Sequence, residues 1–302
     1  MIKHLFTFIF ILFYLSVATA QNERDIIVHD SLSYMVMFTN YPLAKKIILK
    51  LEEKYGYEPE LKYRLISQSF KNNDLDFFKK ELSILVEKYG FQLIYMKETE
   101  PYYTAIIEGE LSSWFKEMYL KKHFIWMKNN FDKQLDLKKL NEIGAKDQSM
   151  RRFISILNNN ITLDSIQKIK LYKSETEFDF ENIADLYQIT QKWKKYPSGK
   201  SFALIQRGFG IAEGHNLKAK DNFERFWLLF YPFYKKAYLN NEISYIHFKN
   251  YDSYSYVHYG YQKFGLLNIE EIHETYMTVG LKEIPLEDFD FYFKILKEFN
   301  WN

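Results

Sequence analysis

The chain has 302 residues, 41 basic and 39 acidic side chains, a net charge of +2 and no cysteine. A length of about 300 residues fits one large domain or two smaller ones. The balanced charge argues against a nucleic-acid binder of the basic-patch kind. The lack of cysteine excludes disulfides, thiolate nucleophiles, Cys-ligated zinc and iron–sulfur clusters. The 19% aromatic content is read as core filling, since Phe, Tyr, Lys, Asn and Ile together mark AT-rich codons and aromatics pack cores readily.

Residues 1–20 read as a secretory signal. Lys3 and His4 precede an apolar run from Leu5 to Leu15, and Ala18-Thr19-Ala20 offers a small-x-small cleavage site before Gln21. The run is too short to span a bilayer, which takes about 20 apolar residues. Export to a periplasm or beyond is therefore expected, with no membrane span in the mature chain.

Residues 21–135 read as a helical-hairpin region. Pro42 suits the first turn of a helix carrying Leu43, Ile47, Ile48 and Leu51. A second helix opens at Pro59 with Leu61, Leu65, Ile66 and Phe70. Asp74 suits the N-cap of a third, bearing Phe77, Phe78, Leu82, Leu85 and Val86, which Gly90 closes. The alternation is tetratricopeptide-like in pattern. A short β-hairpin suits the stretch near 91–107, around Leu93-Ile94-Tyr95 and Tyr103 to Ile107. Leu111 to Gln134 reads as helix, and its His123 as an interfacial residue rather than a ligand.

Residues 136–302 read as an α-rich domain with little β. Asp136 is expected to cap a helix bearing Leu137, Leu140, Ile143, Met150, Phe153 and Leu157, which Asn158-Asn159-Asn160 ends. A short helix is expected from Thr162 to Leu171. Asp179 then caps a helix with Ile183, Leu186, Tyr187 and Trp193, and the loop Tyr196-Pro197-Ser198-Gly199 follows. Asp221 is expected to cap a long helix through Tyr238, kinked by Pro232. The alternation Tyr254-Ser255-Tyr256-Val257-His258 suits a half-buried strand or extended loop. From Pro285 an amphipathic terminal helix is expected, with Phe289, Phe293, Leu296 and Phe299.

Most candidate chemistry is weak. Gly208, Gly210 and Gly214 superficially match a phosphate loop, but no good strand precedes them and no helix follows at once. His215, His247, His258 and His273 are unpaired at helical spacing, and His273-Glu274 lacks the second histidine of a zincin motif. No metal ligand set is assigned, and the cofactor is left unknown. Asp147, Gln148 and Arg151 stand out. On a helix Asp147 and Arg151 are i,i+4 neighbours, so the plain reading is a surface ion pair worth a few tenths of a kcal/mol. Their closeness to Ile143, Met150, Phe153 and Leu157 allows a polar cluster facing inward instead.

Asp147-Gln148 with Arg151 resembles the D-Q-x-x-R helix of an uncharacterised bacterial domain family common in exported proteins of the Bacteroidetes. The resemblance extends to the turn Lys195-Tyr196-Pro197-Ser198, to His215 after it, and to Tyr259-Gly260-Tyr261-Gln262 for a late Y-G-T-Q motif. It covers residues 136 to 265 and leaves the N-terminal helices out. Gly214 departs from the family's glutamine, Tyr261 from its threonine, and Asp252-Ser253 from a late Asp-Arg, which fits a degenerate member. The family has no established activity, so the resemblance implies a site and not a reaction.

Two functions follow. In the first, the protein is an exported binding or interaction protein that presents a polar cleft to a protein or peptide partner, with Gln148, Arg151, Tyr259 and Gln262 as binding residues. In the alternative it is a hydrolase-like enzyme. There Asp147 and His215 are the catalytic pair, as acid/base or metal-binding partners, and Arg151 orients an anionic group.

Overall fold

A computed structural model describes residues 23–267, apart from 33, 94–95, 161, 205–207 and 265. The expected signal, His273-Glu274 and the terminal helix from Pro285 lie outside the described residues. Among those described the chain is mostly α, with a π-helical turn at Ile27–Ser31, twelve α-helices and no strand. No helix among them is long and apolar enough to cross a membrane.

The chain forms two compact units. The first comprises residues 23–131 with 197–204 and 237–244. In the first unit, α1 (Tyr34–Thr39) leads into α2 (Tyr41–Tyr55), where Asn40 caps the start and accepts from the Leu43 N–H. Next come α3 (Pro59–Lys71), with Pro59 in its first turn, and α4 (Leu75–Tyr89). Asp74 caps α4 by accepting from the Phe77 N–H, and also takes hydrogen bonds from Tyr41 and Lys45. Gly90 ends α4 with φ 70°, the left-handed cap that glycine adopts without strain. Ala44, Ile48, Leu51, Leu61, Leu65 and Phe77 make one core cluster, and Phe78, Leu82, Leu85, Phe91, Tyr102 and Phe115 anchor a second.

The hairpin expected near 91–107 is not formed at its second arm. Tyr103–Ile107 is a helical turn, α5, because Tyr102, Ala105 and Ile106 reach the core together at helical spacing. Then α6 (Ser112–Asn129) follows, where His123 stacks between Tyr119 and Trp126, and burial lowers its pKa.

The second unit takes α7 (Phe131–Asn160) from Asp132 onward, and then α8 (Ser165–Asn182). Asp136 is not the cap of α7, which starts five residues earlier; its Oδ2 accepts from Trp193 Nε1 at 2.7 Å and Lys192 Nζ at 2.8 Å. Asp164 and Gln167 form a reciprocal capping box that starts α8. Nothing then stops α8 at Leu171, and it carries Glu175 and Asp179 on one face, so Asp179 is a helix-interior residue and not a cap. After α9 (Ala184–Trp193) come α10 (Phe209–Lys218), α11 (Lys220–Leu239) and α12 (Ile246–Tyr259). Asp221 lies inside the first turn of α11, which begins at Lys220. The region read as a strand or loop is α12, since Phe248, Tyr251, Asp252, Ser255 and Tyr256 are the buried set, spaced by threes and fours.

Candidate functional site

Two short-range features bring α10 against α7 and α8. The first is a glycine contact. A Cβ built on Gly144 would lie 2.6 Å from the Gly208 Cα, so the backbones meet where only glycine fits. Gly144 is one helical turn before Asp147, and Gly208 is two turns before His215. The second is a set of buried asparagines that clamp neighbouring backbones. Asn182 donates to the Ile143 carbonyl at 3.0 Å, and Asn216, the neighbour of His215, donates to the Asp179 carbonyl at 2.7 Å. Asn222 reaches the Thr176 carbonyl at 2.7 Å.

The result is a polar cluster inside an apolar unit. Asp147 is fully buried, and its Oδ1 lies 2.8 Å from His215 Nδ1, while its Oδ2 accepts from Gln148 Nε2 at 2.8 Å. Arg151 lies 3.8 Å from Asp147 and makes close contacts with Glu175 and Asp179 through separate guanidinium nitrogens. The i,i+4 pair is therefore neither on the surface nor alone. Nor is the guanidinium open to an anionic group, since three carboxylates already surround it.

The two buried aspartates are driven in opposite directions. Burial alone raises the Asp147 pKa, but the hydrogen bond and charge of His215, with Gln148 and Arg151, outweigh it and leave the group below the ordinary aspartate value. Burial dominates at Asp179, which is raised even though Arg151 pulls it down. An ionised Asp147 can only accept, so it selects the His215 tautomer with the proton on Nδ1. The His215 side chain is 28% exposed, which leaves an accessible imidazole oriented by a buried anion.

The same residues also meet the geometric requirement for a cation. One ligand atom each from Asp147, Asp179 and His215 lie within 4.8 Å of one another. This nitrogen-and-oxygen donor set suits a first-row divalent ion, which would compete with Arg151 for both carboxylates.

Asp147, Gln148, Arg151 and His215 are thus brought together. Tyr259 and Gln262 take other partners. Tyr259 stacks on Tyr261 at 5.6 Å, and Gln262 Oε1 accepts from the Leu267 N–H at 2.9 Å. The late motif works as a turn, with Gly260 at φ 74° ending α12 and Asp252 accepting from three amides between Lys263 and Leu266. Asp179 and Glu175 were missed as members of the cluster. Their i,i+4 spacing was visible, but nothing in the sequence tied that face to Arg151. Gly208, Gly210 and Gly214 serve helix packing and the wall of α10 rather than a phosphate loop. No family model, curated protein or solved structure matches this chain.

Proposed function

We propose that the second unit is a hydrolase-type enzyme in which His215 Nε2 exchanges the proton of an attacking water. Asp147 holds the ring through Nδ1, and Arg151 keeps the surrounding acids in place. The 2.8 Å contact between a fully buried carboxylate and a partly exposed imidazole carries this reading, because imidazole is the side chain suited to proton exchange near neutral pH. Opposed pKa shifts on two neighbouring carboxylates are also how acid and base roles become separated. Export, read from residues 1–20, places the activity outside the cytoplasm. The interaction-protein reading rests on the expected signal, the helical hairpins and the lack of a recognised catalytic motif, whereas the contact between Asp147 and His215 favours the enzyme.

A panel of chromogenic esters, phosphoesters and glycosides assayed with the wild type, His215→Ala and Asp147→Asn tests the proposal. A general acid/base contributes about 10²–10⁴-fold, so both variants should lose at least about 100-fold while remaining folded, although His215→Ala, which removes a hydrogen bond from the buried Asp147, should melt below the wild type. An inert wild type, or a His215→Ala variant that keeps its rate, sinks it. The donor spacing favours a second reading, in which a divalent ion replaces Arg151 between the carboxylates. Loss of activity on chelation, restored by added metal, would select that reading.

A further inference from the structure

The stripe that α8 buries in the second unit runs on uncovered toward the start of the helix. Ile166, Ile169, Tyr172, Thr176 and Phe180 recur every three or four residues, which places them on one side of α8. Thr176 is 4% exposed and Phe180 0%, whereas Ile166, Ile169 and Tyr172 are 66%, 58% and 48% exposed. Every residue from Ser165 to Lys170 is exposed, so the first turns of α8 project on all sides rather than along one face. Beside them α7 leaves Arg152 and Phe153 exposed in its last turns.

The projecting turns are also basic. From residue 152 to residue 173 the chain carries Arg152, Lys168, Lys170 and Lys173 against a single acid, Asp164. Asp164 is occupied in capping α8, where it accepts from the Gln167 N–H at 2.8 Å. Arg151 is taken up by Glu175 and Asp179, but the other four basic side chains form no ion pair among the described residues. Uncompensated charge and bare isoleucine therefore share one tip in a chain whose overall net charge is only +2.

We infer that the tip formed by α7 and α8 docks on an anionic lipid surface, with Ile166, Ile169 and Tyr172 entering the headgroup region and Lys168, Lys170 and Lys173 meeting lipid phosphates. Clustered exposed apolar side chains mark an interaction site rather than ordinary surface. Apolar and tyrosine side chains interleaved with lysine are the composition of helices held at a membrane interface, where the lysine stems lie among the apolar groups and the ammonium ions stay in water. A second copy presenting the same face would set its lysines against these, so charge opposes self-association there. A helix seated in a protein groove offers one stripe, whereas a soft surface receives a projecting tip from every side. The inference does not depend on the acid/base reading.

Co-sedimentation with vesicles tests it, using the purified chain from Gln21 onward so that the apolar run from Leu5 to Leu15 does not itself bind lipid. Vesicles of phosphatidylglycerol and phosphatidylcholine in equal parts should bind the chain at least about tenfold more tightly than phosphatidylcholine alone at low salt, and high salt should remove most of that difference. Lys168→Gln, Lys170→Gln and Lys173→Gln together should weaken binding by about fivefold per lysine. Lys46→Gln, Lys50→Gln and Lys71→Gln, which remove the same charge from exposed positions of the first unit, should leave it unchanged. Ile166→Asn with Ile169→Asn should weaken it at least about tenfold, with an unchanged melting temperature because both side chains are exposed. No binding to the mixed vesicles, equal binding to both kinds, or full binding by a folded Ile166→Asn, Ile169→Asn variant would each overturn the inference. Capture of polyglutamate without any vesicle binding would also overturn it and assign the tip to an acidic protein.

Discussion

Asp147 and Asp179 are the same side chain a few ångströms apart, and the surroundings give them opposite titrations. Because the folded-state pKa of Asp147 is depressed, it stabilises the fold above the unfolded aspartate value of about 3.9 and loses that effect as pH falls through its folded value. Asp179 is raised; its contribution is complete below about 3.9 and is lost as pH climbs through the folded value. Denaturant melts across the acid range should therefore diverge. Relative to the wild type, Asp147→Asn should fall behind as pH rises through the window below about 3.9, whereas Asp179→Asn should gain ground as pH rises above it. Parallel curves for the two variants would show that the network does not split them. Elsewhere, Lys62 is buried between Glu52 at 2.9 Å and Glu81 at 3.2 Å. Lys62→Ala leaves uncompensated charge and should cost about 3–5 kcal/mol by chemical denaturation.

At the scale of elements, caps were the most readable part of the sequence. Asp74 and Gly90 bound α4, as local chemistry alone required, since a cap is satisfied by amides within three residues. Asp74→Ala should lower stability by about 1–2 kcal/mol, more than the exposed cap Asn40. The same reasoning misplaced Asp136 and Asp179. Both are aspartates, which suit caps, but each is claimed by a side chain far along the chain, Trp193 in one case and Arg151 in the other. The α7–α10 crossing is the element on which the dyad depends. Gly144→Ala pushes a methyl into the Gly208 backbone, and overpacking of this kind costs about 1–3 kcal/mol. It should also separate His215 from Asp147, so the His215 imidazole resonance, followed by NMR, should shift in Gly144→Ala and stay in place in Gly214→Ala.

For the whole molecule, residues 197–204 return to complete the first unit after the chain has already entered the second. Lys200 donates to the Tyr55 carbonyl at 2.7 Å and to Glu58 at 2.9 Å, and the Leu204 N–H donates to the Tyr89 carbonyl at 2.6 Å. A fragment of residues 23–131 alone lacks these bonds and the buried Leu204 side chain. It should melt well below the same unit in the full chain, and Lys200→Ala in the full chain should reproduce part of that loss. A fragment as stable as the full chain would show that the returning segment adds nothing.

By itself the sequence determined the mostly helical class, the starts of α3 and α4, the end of α4, and the grouping of Asp147, Gln148 and Arg151 on one helix. These follow from 3.6-residue spacing and from caps, which involve neighbours only. The tertiary structure alone decided that Asp179 and Glu175 join Arg151 and that His215 meets Asp147. Those encounters span 24 to 68 residues of chain and are set by one glycine-to-glycine contact and three buried asparagines. Neither leaves a periodic trace, because what selects them is the shape of the opposing backbone.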